Sequence, residues 1–211
     1  MATRSRSLVV VSAGLSQPSA TRLLADRLTA AAERGLRAEG VEPVTQVIEL
    51  REHAQDLVNH LLTGFPAPPL EAAIRVVQLA DGLIAVTPIF SASYSGLYKM
   101  FFDLMERDGL AGKPVLLGAT GGTARHSLAL EHASRPLFAY LNAATVPTAV
   151  YAAAEDWGQS DVPADAGLAT RIDRAARELA TAIAQREPVT ETSAFDDPVP
   201  FEDLLRGARS D

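Results

Sequence analysis

Five short runs of apolar residues recur along the chain, and stretches whose apolar residues lie three or four positions apart separate them. The runs are rich in Val, Ile and Leu, as parallel strands covered on both faces require. We predict strands at residues 8–13, 44–50, 82–87, 114–120 and 146–151. Alternating strands and helices imply right-handed crossovers. The pattern therefore predicts an α/β fold: a doubly wound five-stranded parallel sheet with helices on both faces.

Six stretches have the apolar spacing of helices that cover such a sheet. They lie at residues 23–31, 57–62, 70–80, 98–105, 128–141 and 172–183, and part of 57–69 is expected to be loop. The fourth stretch carries Tyr98, Phe101, Phe102 and Met105, more large apolar surface than one sheet face should need. We therefore expect a homodimer or homotetramer.

Length and composition exclude several classes of protein. The chain has 211 residues, of which 47% are hydrophobic, which suits one domain with a sizeable core. No apolar run approaches the length of about 20 residues that spans a membrane, and no targeting segment is recognisable. The chain has no cysteine, which excludes disulfides, thiolate catalysis and Cys-type metal sites and fits a cytoplasmic protein.

The net charge of −7 is unevenly distributed. Residues 187–211 contain seven acids and two arginines, and no Lys/Arg cluster elsewhere predicts nucleic-acid binding. We divide the chain into a folded body, residues 1–186, and an acidic C-terminal tail, residues 187–211. The tail contains Phe195, Phe201, Leu204 and Leu205, so we expect it to dock on the body or on a partner subunit; the alternative is a solvated tail.

Small hydroxyl residues separate the first strand from the first helix. Ser12, Ser16, Ser19 and Thr21 are hydroxyl donors, and Pro18 is expected in the first helical turn. Free N–H groups and the helix dipole make such a position favourable for a phosphate. The alternative is that Ser16 or Ser19 only caps the helix. Neither the dinucleotide nor the nucleoside-triphosphate glycine motif is present.

Two further loops follow strands three and four. The segment TPIFSASYSGLYKMFFD begins at Thr87, where we expect Pro88 to end the strand and the small residues after Phe90 to let a flat ring approach the backbone. An ordinary loop with a buried Phe is the alternative. The segment LLGATGGTARHS contains Gly121 and Gly122, again suited to close backbone approach, followed by His126. A purely structural role for His126 remains open, and no histidine has a partner at metal-ligand spacing, so we predict no metal.

Together these three segments resemble the flavodoxin-like NAD(P)H-dependent FMN reductases. The family has a serine-rich phosphate loop after strand one, a Thr/Ser-Pro-x-Tyr/Phe segment followed by Gly and Lys, and a Gly-Gly loop after strand four. The matching residues here are Ser12, Ser19, Thr21, Thr87, Pro88, Phe90, Gly96, Lys99, Thr120, Gly121 and Gly122. The segment GGTARHSLALEHASRPLFAYLNA is also similar to the branch of reductases that accompany flavin-dependent monooxygenases.

The resemblance implies hydride transfer from NAD(P)H to FMN without a catalytic side chain. It implies an FMN site formed by Ser12, Gly14, Ser16, Gln17, Ser19, Ala20, Thr21, Pro88, Ile89, Phe90, Ser91, Ser93, Thr120, Gly121 and Gly122. Arg125 and His126 are the candidate substrate-binding residues.

Two residues depart from the family pattern. The usual arginine after the first-loop serine is absent, which leaves Arg22 or Arg125 as possible helpers for the phosphate charge. Phe90 replaces the usual tyrosine, so it can pack on a ring but cannot donate a hydrogen bond.

Three other functions remain open at this stage. A quinone or azo reductase would retain its FMN, a flavodoxin-type electron carrier would lack a nicotinamide site, and a non-enzymatic interaction protein would lack both. Flavodoxin-type carriers usually have aromatic residues on both faces of the flavin ring. Trp157 lies well past the fifth strand, which speaks against the carrier.

Overall fold

The computed structural model describes residues 4–106, 108–157 and 167–189. The strands are β1 (Arg4–Ser12), β2 (Val41–Glu49), β3 (Gly82–Phe90), β4 (Ser93–Tyr94), β5 (Pro114–Gly121), β6 (Ala144–Thr145) and β7 (Val150–Ala153). The helices are α1 (Ala20–Ala38), α2 (Ala54–Thr63), α3 (Pro68–Leu79), α4 (Gly96–Asp103), α5 (Arg135–Tyr140) and α6 (Leu168–Gln185). Within these ranges no helix has both the length and the apolar character needed to cross a bilayer.

The strands form one sheet in the order β2-β1-β3-β5, and β5 pairs in addition with both β6 and β7. All these pairings are parallel, whereas β4 pairs antiparallel with β3. With β6 and β7 sharing the position after β5, the sheet has five positions in the order of a flavodoxin-like doubly wound sheet. This order confirms the predicted fold class. The sheet has seven strands rather than five because β4 is added and the fifth position is shared by β6 and β7. Pro147 lies between those two short strands, and proline cannot donate to a strand ladder.

Helices cover both faces of the sheet, and the residues of β1 alternate between them. Leu8 and Val10 pack with α1 and α6 on one face. Val9 and Val11 pack with residues of α2, α3, α4 and α5 on the other. Since successive side chains of a strand point to opposite faces, a strand buried on both faces must be apolar at every position. This explains the uninterrupted run in the sequence.

The predicted helix at residues 128–141 is not one regular α-helix. A π-helical turn, Leu130–Ser134, precedes α5, and the N–H of Arg135 donates to the carbonyl of Leu130. Pro136 stands in the first turn of α5 and has no N–H to continue a regular helical ladder. The predicted helix at residues 57–62 is part of α2, and the loop expected in 57–69 follows it.

The aromatic face of α4 is buried within the chain. Tyr98, Phe101, Phe102 and Met105 are between 0% and 6% exposed. The rings of Tyr98 and Phe102 both lie edge-on to Phe138. Their apolar surface is therefore used in the core of one subunit, and the expectation that this face is left over for a second subunit is wrong.

A buried lysine, Lys113, lies at the amino-terminal edge of the sheet. Lys113 directly precedes β5, and its Nζ donates to the carbonyl oxygens of Gln78, at 3.1 Å, and Ala80. These carbonyls lie at the end of α3, where the last C=O groups of a helix have no N–H partner within the helix. Burial and the like charge of Arg186 lower the pKa of Lys113 to about 8, against the opposing effect of Asp81.

This lysine makes stability increase with pH. In the folded protein Lys113 loses its proton near pH 8, whereas in the unfolded chain it keeps the proton to beyond pH 10. Between these values the unfolded state binds more protons. We therefore expect the free energy of unfolding to increase by about 2 kcal/mol between about pH 7.5 and 9.5.

Chemical denaturation at several pH values measures this slope, with Lys113→Met as the control whose profile should be flatter. The measurements should stop at about pH 9.5, because burial raises the pKa of Tyr98 well above its usual value. At higher pH the unfolded chain loses the Tyr98 proton more readily than the folded protein, which lowers the free energy of unfolding. Identical slopes for the two proteins would exclude Lys113 as the cause.

Candidate functional site

The carboxyl ends of β1, β3, β5 and β7 meet at one edge of the sheet, and the segments after them surround a pocket of about 540 Å³. Open α/β sheets bind ligands at this edge, and pockets for small molecules have this size. The lining residues are Leu15, Ser16, Ser19, Ala20, Thr21, Pro88, Ile89, Phe90, Thr120, Gly121, Gly122, Ala154 and Trp157.

The first side of the pocket is the loop after β1 and the first turn of α1. Ser19 is the N-cap of α1, and its Oγ accepts a hydrogen bond from the N–H of Arg22 at 3.3 Å. Gly14 lies so close to this cap that a Cβ there would be 2.1 Å from Ser19 Oγ. The capping role of Ser19 is thus real, and it places Ser16, Ser19 and the first-turn N–H groups on the pocket. Pro18 precedes the cap and is not in the first turn, contrary to the sequence-based expectation.

The arginine proposed as a phosphate helper is bound elsewhere. Arg22 Nε donates to Asp26 Oδ1 at 2.7 Å, and its Nη1 pairs with Glu49. The hydrogen bond to Asp26 raises the pKa of Arg22, and the charge of Glu49 adds to this against the cost of burial. None of the described residues that line the pocket carries a charged side chain. An anion at the start of α1 would therefore be held by hydroxyls, amides and the helix dipole.

Two of the predicted hydroxyls bond to each other. Thr21 and Thr120 are buried, and their Oγ1 atoms lie 2.8 Å apart. This hydrogen bond ties the first turn of α1 to the end of β5. Thr21 and Thr120 thus shape the pocket, and the hydroxyls that line it without this bond are those of Ser16 and Ser19.

The second side is the end of β3, which runs through Pro88 to Phe90. The expectation that Pro88 ends the strand is wrong: Pro88 pairs with Thr120 of β5, while the pairing of β3 with β1 ends at Val86. A proline is tolerated where a strand has lost one neighbour. Phe90 is 48% exposed and lines the pocket, so it is not the buried Phe of the alternative interpretation.

A tight turn follows Phe90. Ser91 and Ala92 have φ values of +48° and +67°, and Phe90 and Ser93 pair across the turn. Two consecutive positive φ values are typical of a two-residue hairpin turn. Thr87 Oγ1 accepts from the N–H of Ser95 at 3.0 Å, which fixes the return of the chain into α4. The turn holds Phe90 at the mouth of the pocket.

The third side is the Gly121-Gly122 loop. Tyr151 of β7 donates a hydrogen bond from its hydroxyl to the carbonyl of Thr123 at 2.7 Å. A Cβ on Gly121 would lie 2.0 Å from that hydroxyl, so glycine is required for the close approach of the loop and Tyr151. The prediction of close approach is correct, but the group that approaches Gly121 is a tyrosine of the same chain.

The fourth side was missed by the sequence analysis. A 3-10 turn, Ala154–Trp157, follows β7 directly, and Ala154 and Trp157 line the pocket together with Leu15 from the first loop. Since the carboxyl ends of all parallel strands lie at one edge, the residues after the fifth strand could have been named from its position alone. Trp157 therefore lines the pocket. Its position in the sequence no longer argues against a flavodoxin-type electron carrier.

Ten of the fifteen predicted cofactor residues line the pocket. Ser12 is buried at the end of β1, and Gly14 supports the cap. The structure does not place Ser12, Gly14, Gln17, Ser91 or Ser93 on the pocket lining.

Arg125 and His126 lie in a separate groove. They share a groove of about 370 Å³ with Ala92, Leu128, Ala129, His132 and Ala133. This groove and the main pocket take residues from the same two loops, since Ala92 follows Phe90 and Arg125 follows Gly122. Arg125 and His126 belong to a 3-10 turn, Ala124–His126, which precedes the π-helical turn Leu130–Ser134 and α5.

The chemistry of the lining suits a ligand with a flat apolar body and one anionic end. Phe90, Ile89 and Trp157 supply apolar surface, while Ser16 and Ser19 supply neutral donors at the start of α1. The described lining contains no pair of acid and base, and no group of three potential metal ligands occurs in the described ranges.

Comparison with known proteins finds a matching family model and several similar proteins. The family model described as NADPH-dependent FMN reductase matches residues 7–158. An NADH-dependent FMN reductase, SfnE, from Pseudomonas putida is 38% identical over 80% of this chain and 88% of its own. An FMN reductase (NADPH) from Pseudomonas aeruginosa is 37% identical over 82% of this chain and 90% of its own. The crystal structure of an oxidoreductase from Corynebacterium diphtheriae superposes with a TM-score of 0.83 at 44% identity, covering 87% of this chain and all of that one.

Proposed function

The chain belongs to the NADPH-dependent FMN reductase family, and from this premise we propose that the pocket at the carboxyl edge of the sheet holds FMN for reduction by NAD(P)H. The protein is an oxidoreductase, and the bound flavin supplies the hydride-accepting chemistry. The observation that carries the proposal is the pocket itself, where four loops combine apolar surface with neutral donors at the start of α1.

The residues present fit FMN. Ser16, Ser19 and the N–H groups of the first turn of α1 bind the phosphate, in a lining without charged side chains. Phe90 and the Gly121-Gly122 loop border the space for the ring system. No acid or base of the protein is needed, because the flavin supplies the chemistry. We propose that Arg125 and His126 contact the nicotinamide nucleotide from the neighbouring groove.

Oxidation of NADPH and NADH by the purified protein, with and without added FMN, tests this function. Oxidation that depends on FMN supports it. Flavin-free protein that neither binds FMN nor oxidises either nucleotide would contradict it. A protein that keeps its flavin and reduces quinones or azo dyes would favour the alternative reductase, and flavin binding without nucleotide oxidation would favour a carrier.

We propose further that the reduced flavin serves a flavin-dependent monooxygenase in the cytoplasm. The segment from Gly121 onward resembles the reductases that accompany such enzymes, as the sequence analysis described. The compartment and the partner enzyme remain predictions from the sequence.

The two residues of the groove should affect different kinetic constants. Arg125 is a permanent cation, so Arg125→Ala should mainly raise the Michaelis constant for NAD(P)H. His126 lines the groove and not the main pocket, so His126→Ala should lower turnover by about tenfold or less. Steady-state kinetics of both variants checks this. A folded, FMN-binding His126→Ala protein without activity would make His126 a catalytic group.

The assembly into a homodimer or homotetramer is also a proposal, now supported by a different surface. Four apolar residues of α2 and the loop after it are exposed: Val58 at 41%, Leu61 at 49%, Leu62 at 82% and Phe65 at 81%. Exposed apolar groups this close together are typical of interaction sites. Of the tail, residues 187–211, the structure describes residues 187–189, where the N–H of Val189 donates to Asp81 Oδ1 at 3.1 Å. The expected docking of Phe195, Phe201, Leu204 and Leu205 lies outside the described residues and stays a prediction.

Replacing Leu62 and Phe65 with Glu should therefore reduce the mass in light scattering to that of a monomer, with Tyr140→Glu as the control at another exposed aromatic. A monomeric unmodified protein at micromolar concentration would exclude the assembly.

A further inference from the structure

Trp157 forms the side of the pocket that faces β7, and nothing in the family pattern pointed to it. We infer that Trp157 contacts the ring system of the bound flavin and that Arg27 positions the Trp157 indole. The inference rests on the proposed FMN site.

The turn that carries Trp157 is firmly held. Asp156 Oδ2 accepts a hydrogen bond from the N–H of Ala153 at 2.8 Å. Asp156 Oδ1 pairs with Arg171 Nη2 of α6 at 2.6 Å, and Nη1 of the same arginine donates to the carbonyl of Tyr151 at 2.5 Å. The turn is thus bonded both to β7 and to α6, so the position of Trp157 does not depend on a ligand.

The indole is held on a second side by α1. The guanidinium carbon of Arg27 lies 4.9 Å from the centre of the Trp157 ring, which is within the range of a cation–π interaction. Trp157 also packs against the apolar cluster formed with α1 and α6. Arg27 does not line the pocket, so its contact is with the indole and not with the ligand.

The chemistry of the Trp157 side chain indicates the part of the ligand that it contacts. Leu15 and Ala154, which also line the pocket, are apolar, whereas the pocket hydroxyls of Ser16 and Ser19 belong to the start of α1. An indole offers a broad apolar face to a flat ring and only one N–H donor, whereas Ser16, Ser19 and the first-turn N–H groups of α1 supply the donors for a phosphate. Trp157 should therefore contribute equally to the binding of FMN and of riboflavin, which lacks the phosphate.

The full chain with Trp157→Ala, Trp157→Phe, Arg27→Ala and Arg27→Lys is titrated with FMN and with riboflavin, followed by flavin emission. Tyr140→Ala is the control, since Tyr140 is an exposed aromatic that does not line the pocket. Trp157 is the one tryptophan of the sequence, so tryptophan emission and its quenching by acrylamide report this residue alone.

Trp157→Ala should raise the dissociation constants of both flavins by roughly tenfold, as expected for loss of an aromatic contact to a heteroaromatic ring. Trp157→Phe should retain most of the affinity. Arg27→Ala should weaken flavin binding less than Trp157→Ala does, and it should make Trp157 more accessible to acrylamide. Arg27→Lys keeps a cation, so it should retain part of the flavin affinity and part of the protection of Trp157 from acrylamide. Saturating FMN should protect Trp157 from acrylamide.

Unchanged affinity of Trp157→Ala for both flavins would overturn the inference and leave the proposed function intact. A loss for FMN with none for riboflavin would also overturn it, because it would place Trp157 at the phosphate. Absence of flavin binding by the unmodified protein would instead overturn the proposed function, together with the inference that rests on it.

Discussion

Gly121→Ala is expected to destabilise the folded protein by about 2–3 kcal/mol, the effect of inserting a methyl group into a packed site. The added Cβ would lie 2.0 Å from the hydroxyl oxygen of Tyr151 and 3.0 Å from Cζ of its ring. Tyr151 is buried in the core and bonded to the carbonyl of Thr123, so it cannot move without breaking that bond. Because the same loop borders the pocket, FMN binding should weaken as well.

Gly122→Ala is the matched control for stability, since no atom beyond its own chain neighbours lies within 4 Å of a Cβ at that position. A second comparison is the double variant Gly121→Ala/Tyr151→Phe, which removes the atom that clashes most and should recover part of the stability. Chemical denaturation and FMN titration measure both effects. Equal stability of the Gly121→Ala and Gly122→Ala proteins would show that the loop adapts without cost.

Ser19→Ala/Thr21→Ala is expected to weaken FMN binding by roughly 1–3 kcal/mol, the scale of lost hydrogen bonds to a charged group. Riboflavin binding should change much less. The structure gives the two residues different parts in this effect. Ser19 caps α1 and lines the pocket, whereas Thr21 bonds to Thr120 and holds the start of α1 against the end of β5.

Ser19→Asp separates capping from phosphate binding. Aspartate caps a helix about as well as serine, so α1 should remain intact. Its negative charge should nevertheless repel the phosphate, and FMN affinity should fall while riboflavin affinity is kept. Titration of each variant with both flavins provides the readout. An equal loss for the two flavins in either variant would mean that this loop does not recognise phosphate.

The strands could be predicted because apolar runs are local patterns. The strand at residues 82–87 was predicted from its run of apolar residues, and it forms the start of β3. Its end was predicted wrongly, because Pro88 is tolerated only where β3 has lost β1 as a neighbour. That loss is a property of the assembled sheet and leaves no trace in the residues around Pro88.

The candidate site shows the same division. Clusters of small hydroxyl and glycine residues marked three of its four sides, because such residues are needed wherever a chain must turn or cap a helix. The fourth side, with Trp157, has no such composition. Its place follows from the topology, which puts the end of β7 beside the end of β5.

Sequence patterns were enough to predict the α/β class, the approximate positions of β1, β2, β3 and β5, the serine cap of α1 and the family. Each of these depends on residues close together in the chain, or on motifs in a fixed order. Which polar groups face the pocket depends on contacts that form only in the folded chain. Thr21 bonds to Thr120, Arg22 to Glu49 and Tyr151 to Thr123. These partners are far apart in sequence, and periodic patterns of two or 3.6 residues carry no information on distances between them.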